Sequence, residues 1–270
     1  MNTIAFVFIF LLGTIIGSFL NVVIYRFNTG KSISKGRSMC MTCSRTLRWY
    51  ELIPVFSFLI QSGKCRRCAS RISHQYPLVE LITGLIFALI AFHFEPIIFV
   101  STFSYVAAVS FFAFICSLLM VIVVYDIRHK VIPDKLVYVF IAISFLSIFI
   151  NFTGFGHFFI IPSFWSIISG PLFAMPFALL WLFSGGRLMG LGDSKLILGI
   201  GWVLGPLPTL CSLTLSFWIG TIVSLVLMGL SRKKMNMKTE VPFAPFLFLG
   251  FLITFLFNLN VFSLSSLFNF

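Results

Sequence analysis

Charged side chains divide the chain into long silent stretches, and those stretches read as membrane crossings. Residues 1–25 carry no charge and Arg26 ends them, which predicts a first helix with its N-terminus outside. A basic flank after the apolar run, rather than before it, argues for a retained helix over a cleaved secretory signal. Gly13 and Gly17, four apart, give that helix a small-residue face for close packing. Residues 26–75 form the one long polar region. A second crossing starts near Tyr76-Pro77 and ends around His93 to Glu95. The uncharged run from Glu95 to Asp126 predicts a third that returns to the same side. Residues 136–186 are uncharged again and long enough for two crossings, turning outside between Asn151 and Ser163. Residues 196–231 fit one short crossing (about 194–206) and one full one, broken near Gly205-Pro206-Leu207-Pro208. A basic loop with Arg232, Lys233, Lys234 and Lys238 follows, and 243–262 make the last crossing.

The expected architecture is therefore all-α and polytopic, with about eight transmembrane helices and both termini outside. Three parts follow: 1–25 as the first transmembrane helix, 26–75 as a cytoplasmic loop, and 76–270 as a transmembrane domain.

Composition agrees and narrows the field. Of 270 residues, 59% are hydrophobic and 10% charged, which excludes an ordinary soluble domain and a disordered chain. Nineteen Lys and Arg stand against seven Asp and Glu, a formal net charge of +12. In a soluble protein that excess would suggest nucleic acid. Here ten of the nineteen fall within 26–75, so the excess is a topology signal for a cytoplasmic loop, with anionic lipid as its neighbour and nothing that asks for nucleic acid. The 36 phenylalanines read as lipid-facing bulk.

Six cysteines are present. Cys116 and Cys211 lie in apolar runs and read as packing. The other four form two CxxC pairs, Cys40 with Cys43 and Cys65 with Cys68, a spacing that predicts a structural zinc-ribbon-like site with four thiolate ligands. Disulfides compete with zinc, but a cytoplasmic loop sits in a reducing compartment. Arg37, Arg45, Lys64, Arg66 and Arg67 nearby would favour thiolates.

Acids are scarce, which makes them informative. The aspartates are Asp126, Asp134 and Asp193. Asp126 ends the third crossing and Asp193 opens the sixth, within Gly190-Leu191-Gly192-Asp193, so both fall at the cytoplasmic interface. An ionisable group there is a functional candidate, although each alone could be an ordinary helix-end charge. Two facing carboxylates share one proton, and such a pair can activate water against a peptide carbonyl. Gly190 and Gly192 would let an extended substrate strand approach closely. Asp134 reads as a cap of the fourth helix. Glu80, a turn into the second crossing, reads as a partner for that helix's N-terminal dipole, or as an anchor for a substrate's amino group or basic leader. Asn21 reads as an interhelical hydrogen-bond partner.

These residues together resemble a known family. Gly17-Ser18-Phe19-Leu20-Asn21-Val22-Val23-Ile24-Tyr25-Arg26, the double CxxC, Tyr76-Pro77-Leu78-Val79-Glu80, Asp126 with Ile132-Pro133-Asp134, and Gly190-Leu191-Gly192-Asp193-Ser194-Lys195 occur in order. The chain resembles the bacterial type IV prepilin peptidases, GxGD-type aspartic peptidases, over nearly its whole length. The resemblance implies that Asp126 and Asp193 are the catalytic pair. It implies cleavage of a short basic leader from prepilins or pseudopilins, after a glycine, at the cytoplasmic face of the bacterial inner membrane. It also implies N-methylation of the new N-terminal residue, with S-adenosylmethionine as methyl donor. Where that family usually has glycine, this chain has Ala244, within Pro242-Phe243-Ala244-Pro245. A polytopic transporter or membrane chaperone that relays protons through its carboxylates is the competing class.

Overall fold

The computed structural model describes residues 3–33, 35–152, 155–187, 189–230 and 241–260. The basic loop expected at Arg232 to Lys238, and the end of the last expected crossing, lie outside the described residues. Helices dominate: α1 (Thr3–Arg26), α2 (Phe56–Ile60), α3 (Gln75–His93), α4 (Glu95–Ile98), α5 (Thr102–His129), α6 (Asp134–Ser147), α7 (Phe164–Ser184), α8 (Leu191–Leu204), α9 (Pro206–Leu230) and α10 (Ala244–Leu256). Among the described residues pairing of extended backbone is limited to three isolated bridges.

Each of the eight segments read as a crossing contains a helix, but not every one is of full bilayer length. Among the described residues five helices, α1, α3, α5, α7 and α9, are long and apolar enough to span a membrane. The helices α6, α8 and α10 have 14, 14 and 13 residues. At 1.5 Å per residue they reach only about 20 Å, against a hydrocarbon layer of about 30 Å. The break foreseen after α8 is real: Gly205 takes φ +78°, which an L side chain rarely adopts, and α9 starts at the next residue.

The chain forms two compact units, residues 1–121 and 122–270, with α5 running from one into the other. In the first unit α1 packs along α3. A Cβ on Gly13 would lie 2.8 Å from the Gly84 Cα, and one on Gly17 would lie 2.8 Å from the Glu80 Cα, so the two backbones approach as closely as glycine allows. Asn21 secures the same seam, its amide donating to the Gly17 and Tyr76 carbonyls.

In the second unit three faces of α8 have three different jobs. Gly192, Lys195 and Gly199 face α6, where Gly192 meets Ile132 and Gly199 lies under the ring of the fully buried Phe140. Ser194, Leu198 and Gly201 face α7: the Ser194 hydroxyl donates to the Ala174 carbonyl, and Gly201 packs on Gly170. The third face carries Asp193, Ile197 and Ile200, all buried. Along α9 and α10, Gly250 sits against Ser212 and Ser216.

A side chain at Gly199 would overlap Phe140, so Gly199→Val is expected to destabilise the protein by about 1–3 kcal/mol. Gly229 has open space around its Cβ position, and Gly229→Ala is expected to leave stability unchanged or slightly raised. Thermal unfolding of both purified variants in the same detergent checks the contrast.

Candidate active site

The end of unit two where α5 finishes and α6, α8 and α10 begin gathers the chemistry. Asp126 lies in the last turn of α5, which runs on to His129, so it is one turn inside the helix and not at its terminus. It is 5% exposed. Asp193 is the third residue of α8 and is 8% exposed. Neither is a cap in the simple sense, since Gly190 is the N-cap of α8.

Each carboxylate is held by one backbone amide at the start of a helix. The Gly190 N–H donates to Asp193, half of a capping box made by an acid three residues into the helix. The Ala244 N–H donates to Asp126. The two carboxylates are close enough for the charge of Asp126 to act on Asp193. One oxygen of each, Asp126 Oδ2 and Asp193 Oδ1, is buried with no hydrogen-bond partner. The arrangement is thus two desolvated carboxylates, each anchored on one side and free on the other.

Gly190 and Gly192 belong to this site through packing. Gly192 lets α8 lie against Ile132, where a Cβ would come within 2.7 Å of the isoleucine Cβ. Ala244 stood out in the sequence only as an alanine where the resembling family usually has glycine, and its place beside Asp126 was missed. It is the first residue of α10, 1% exposed, and contributes only its amide and its smallness. Its backbone is helical, so alanine serves there without strain. The signals available were a proline-flanked helix start, Pro242 to Pro245, and the alanine in place of the family's usual glycine.

Asp134 has a different role from the expected cap. Pro133 is the N-cap of α6, and the Asp134 carboxylate accepts from Lys195 Nζ at 2.6 Å. Lys195 also donates to the Tyr138 hydroxyl at 3.1 Å and lies over that ring. Side by side with the contact of Gly192 on Ile132, this group fixes the first turn of α8 to α6.

In the first unit the four cysteines come together. The Sγ atoms of Cys40, Cys43, Cys65 and Cys68 all lie within 4.8 Å of one another, and Cys40 and Cys68 are 3.8 Å apart. All four are free thiols. A tetrahedral zinc with Zn–S of about 2.3 Å sets sulfurs about 3.8 Å apart, so the cluster fits that ion. The two pairs are built alike. Met39 bridges Thr46 and Lys64 bridges Arg71, while Ser44 and Ala69 take left-handed backbone at equivalent places. Backbone N–H groups of Cys43 and Thr42 hold Cys40 down to about 6. At Cys43 the Arg45 N–H acts in the same sense, but burial and the neighbouring sulfurs prevail and push it up to about 11. Cys68 is lowered, chiefly by the Ser70 hydroxyl. Four crowded thiols do not ionise together without a cation.

Glu80 is in the second turn of α3, past the reach of the helix dipole. Its carboxylate accepts from the Val55 N–H at 2.7 Å and from the Ser18 hydroxyl. It ties the cysteine-bearing segment to the α1–α3 pair.

Comparison with known proteins decides the family. A model described as the type IV leader peptidase family matches residues 113–225, and one described as the bacterial peptidase A24 N-terminal domain matches 11–94. A prepilin leader peptidase/N-methyltransferase of Stutzerimonas stutzeri is 31% identical, covering 91% of this chain and 89% of the relative. One of Bacillus subtilis is 31% identical, covering 94% and 95%. One of Pseudomonas aeruginosa is 29% identical, covering 88% and 85%. The chain belongs to the type IV leader peptidase family.

No solved structure matches the chain. Within the family frame, the N-terminal match takes in most of α1, the cysteine-bearing segment and α3, and the second match contains both Asp126 and Asp193 but ends before Ala244. With five helices fit to cross a bilayer and bacterial relatives, this leader peptidase homologue is a multi-pass bacterial membrane protein.

The ion pair between Lys195 and Asp134 is open to solvent on the aspartate side, 63% exposed. A double-mutant cycle with Lys195→Met and Asp134→Asn, read by unfolding in detergent, is expected to give a coupling of about 0.2–1 kcal/mol. A coupling indistinguishable from zero would remove this pair from the account of how α8 is held.

Proposed function

We propose that this chain is a membrane endopeptidase that removes the short basic leader of type IV prepilins or pseudopilins. It cuts after a glycine at the cytoplasmic face of the inner membrane and then N-methylates the new N-terminal residue. The observation that carries the reading is the pair of buried carboxylates, each with one oxygen on a helix-start amide and one oxygen free. Membership of the family and the names of the relatives supply the substrate class. In this reading residues 1–25 are the first crossing, 26–75 the cytoplasmic loop, and 76–270 carry the peptidase.

Asp126 and Asp193 are the catalytic pair. Between them they hold one proton, because two close carboxylates in a desolvated place cannot both ionise cheaply. The ionised partner takes a proton from water as the water oxygen attacks the scissile carbonyl carbon. The protonated partner gives its proton to the carbonyl oxygen, and the pair then returns a proton to the leaving amine as the C–N bond breaks. The Gly190 and Ala244 amides hold the carboxylates in position through these exchanges. Gly190 and Gly192 leave room for an extended substrate strand, and the tie from Glu80 to Val55 supports the segment between α1 and α3.

Zinc is the metal assigned to Cys40, Cys43, Cys65 and Cys68, with a structural role. S-adenosylmethionine is the implied methyl donor. Among the described residues no glycine-rich turn follows a strand in the manner of a nucleotide site. The transporter or chaperone reading finds no support in the relatives' names.

Asp126→Asn and Asp193→Asn are each expected to insert normally and to slow leader removal by about 10²–10⁴-fold. The mass of a prepilin incubated with each purified variant is the measurement, and full cleavage by both variants would overturn the assignment. Mass spectrometry of the same product reads methylation as an added methyl group. Metal analysis is expected to give one zinc per chain, lost in Cys40→Ser and Cys65→Ser and weakened as pH falls and protons compete for the thiolates. Fresh protein with Cys40 and Cys43 oxidised and no zinc would replace the metal by a disulfide.

A further inference from the structure

The segment between α1 and α3 has almost no core of its own. Among its described residues only Glu51 and Cys65 are buried, and Glu51 is there because Arg45 pairs with it and the Arg48 N–H donates to it at 2.8 Å. The apolar side chains of this segment point outward. In α2, whose sequence is Phe-Ser-Phe-Leu-Ile, no residue is buried. Phe58 turns inward over Gly63 and His74, but Phe56, Leu59 and Ile60 lie exposed on one face of α2, and Leu52 and Ile53, in the turn before it, are exposed as well. Leu59 and Ile60 are 65% and 71% exposed, and Trp49, just before them, is 78% exposed.

The height of this face is fixed by two contacts. The Val55 N–H, at the start of α2, is bonded to Glu80, and Glu80 is packed level with Gly17. Glu80 lies five residues into α3, and Gly17 lies nine residues before the end of α1. At 1.5 Å per residue, Val55 is held roughly 7–14 Å inward from the ends of the two helices, less the reach of a glutamate side chain. Those ends carry Tyr25 stacked on Tyr76 with ring centroids 5.0 Å apart, the aromatic signature of a membrane–water interface. The exposed apolar face therefore begins at or below the aromatic level of two helices that have the composition of membrane crossings. Arg48, Lys64, Arg66, Arg67 and Arg71, close to it in sequence, are all exposed.

We propose that residues 49–60 are seated in the headgroup–acyl boundary of the bilayer that α1 and α3 cross, with Leu52, Ile53, Phe56, Leu59 and Ile60 in the acyl region. The flanking arginines and lysines lie on anionic headgroups. This is the placement of an interfacial amphipathic segment: apolar residues on one side, basic residues around the rim, and a shallow depth. It explains why a largely apolar helix exists in the one long polar region of the chain with Phe56, Leu59 and Ile60 turned away from the protein. Charge and depth both favour lipid over another protein as the occupant.

The test uses the full-length protein in nanodiscs containing anionic lipid, with acyl chains brominated either near the headgroup or near the bilayer centre. The difference in fluorescence between the native chain and Trp49→Phe isolates Trp49, and Leu59→Trp adds a reporter on the apolar face. The expected result is that shallow bromines quench both reporters more than deep ones do, that the Leu59→Trp reporter emits at shorter wavelength than indole in water, and that aqueous iodide quenches it weakly. Full iodide access with no effect of brominated lipid would overturn the proposal. So would lipid-independent shielding that develops only when a peptide carrying an apolar helix is added, which would make the occupant a protein segment. Trp49 is exposed, so Trp49→Phe keeps the comparison valid even where Leu59→Trp fails to fold.

Discussion

In lipid, burying a leucine against another helix gains little that the acyl chains did not already offer, so helices are held where their backbones can come close. That constraint governs both units of this protein. Gly13 against Gly84 and Gly17 against Glu80 join α1 to α3, and Gly201 against Gly170 joins α8 to α7. The demand is greatest at α8. A helix of 14 residues has too few turns to hold its own place in a bilayer, and it is gripped on two faces, by α6 through Gly192 and Gly199 and by α7 through Gly201 and Ser194. Only the third face is left, and it carries Asp193. The orientation of the aspartate is therefore a consequence of where the glycines are.

The shortness of α8 and α10 has a second effect. A helix leaves its first N–H groups without partners inside the helix, and a helix that starts within the protein brings those amides to buried positions. Two of them, on Gly190 and Ala244, meet the two carboxylates. Burying an acid is costly unless its oxygens find donors, and here the donors come from the backbone, which carries no charge of its own. An arginine or lysine in their place would have neutralised the pair and fixed its proton. Amide donors hold the geometry and leave one buried oxygen of each carboxylate, Asp126 Oδ2 and Asp193 Oδ1, without a partner.

What the sequence made legible is what depends on local pattern. Uncharged runs located the helices, the two CxxC pairs located the cysteine cluster, and the scarcity of acids singled out Asp126 and Asp193. What it hid depends on the folded backbone. Ala244 has no polar side chain to draw notice, and its amide becomes useful only because α10 starts beside the end of α5. Ser44 and Ala69 adopt left-handed backbone without being glycine, so the repeat of the two cysteine turns, 25 residues apart, is visible in geometry and nearly silent in sequence. Asp134 looked like a cap because acids commonly are, yet Pro133 takes that position and frees the carboxylate for Lys195. The last crossing, read as 243–262, contains the shorter α10 for a related reason, whereas the shortness of α8 was already visible in the sequence. Apolar composition continues past α10, and where that helix stops is set by packing.

The segment between α1 and α3 follows a different logic from the helices it joins. With Glu51 and Cys65 as its only buried described residues, it lacks the apolar interior that would make its fold self-sufficient. Its order has to come from a few strong, directional ties: four sulfurs within 4.8 Å, the pairing of Arg45 with Glu51, the Arg26 guanidinium donating to the carbonyls of Ser32, Lys35 and Arg37, and the bond from Val55 to Glu80. Each tie joins residues distant in the segment or anchors it to a membrane helix. A structure held this way tolerates an apolar face turned outward, because no core depends on that face being covered. Freed from packing, those side chains can be spent on the bilayer surface beneath them.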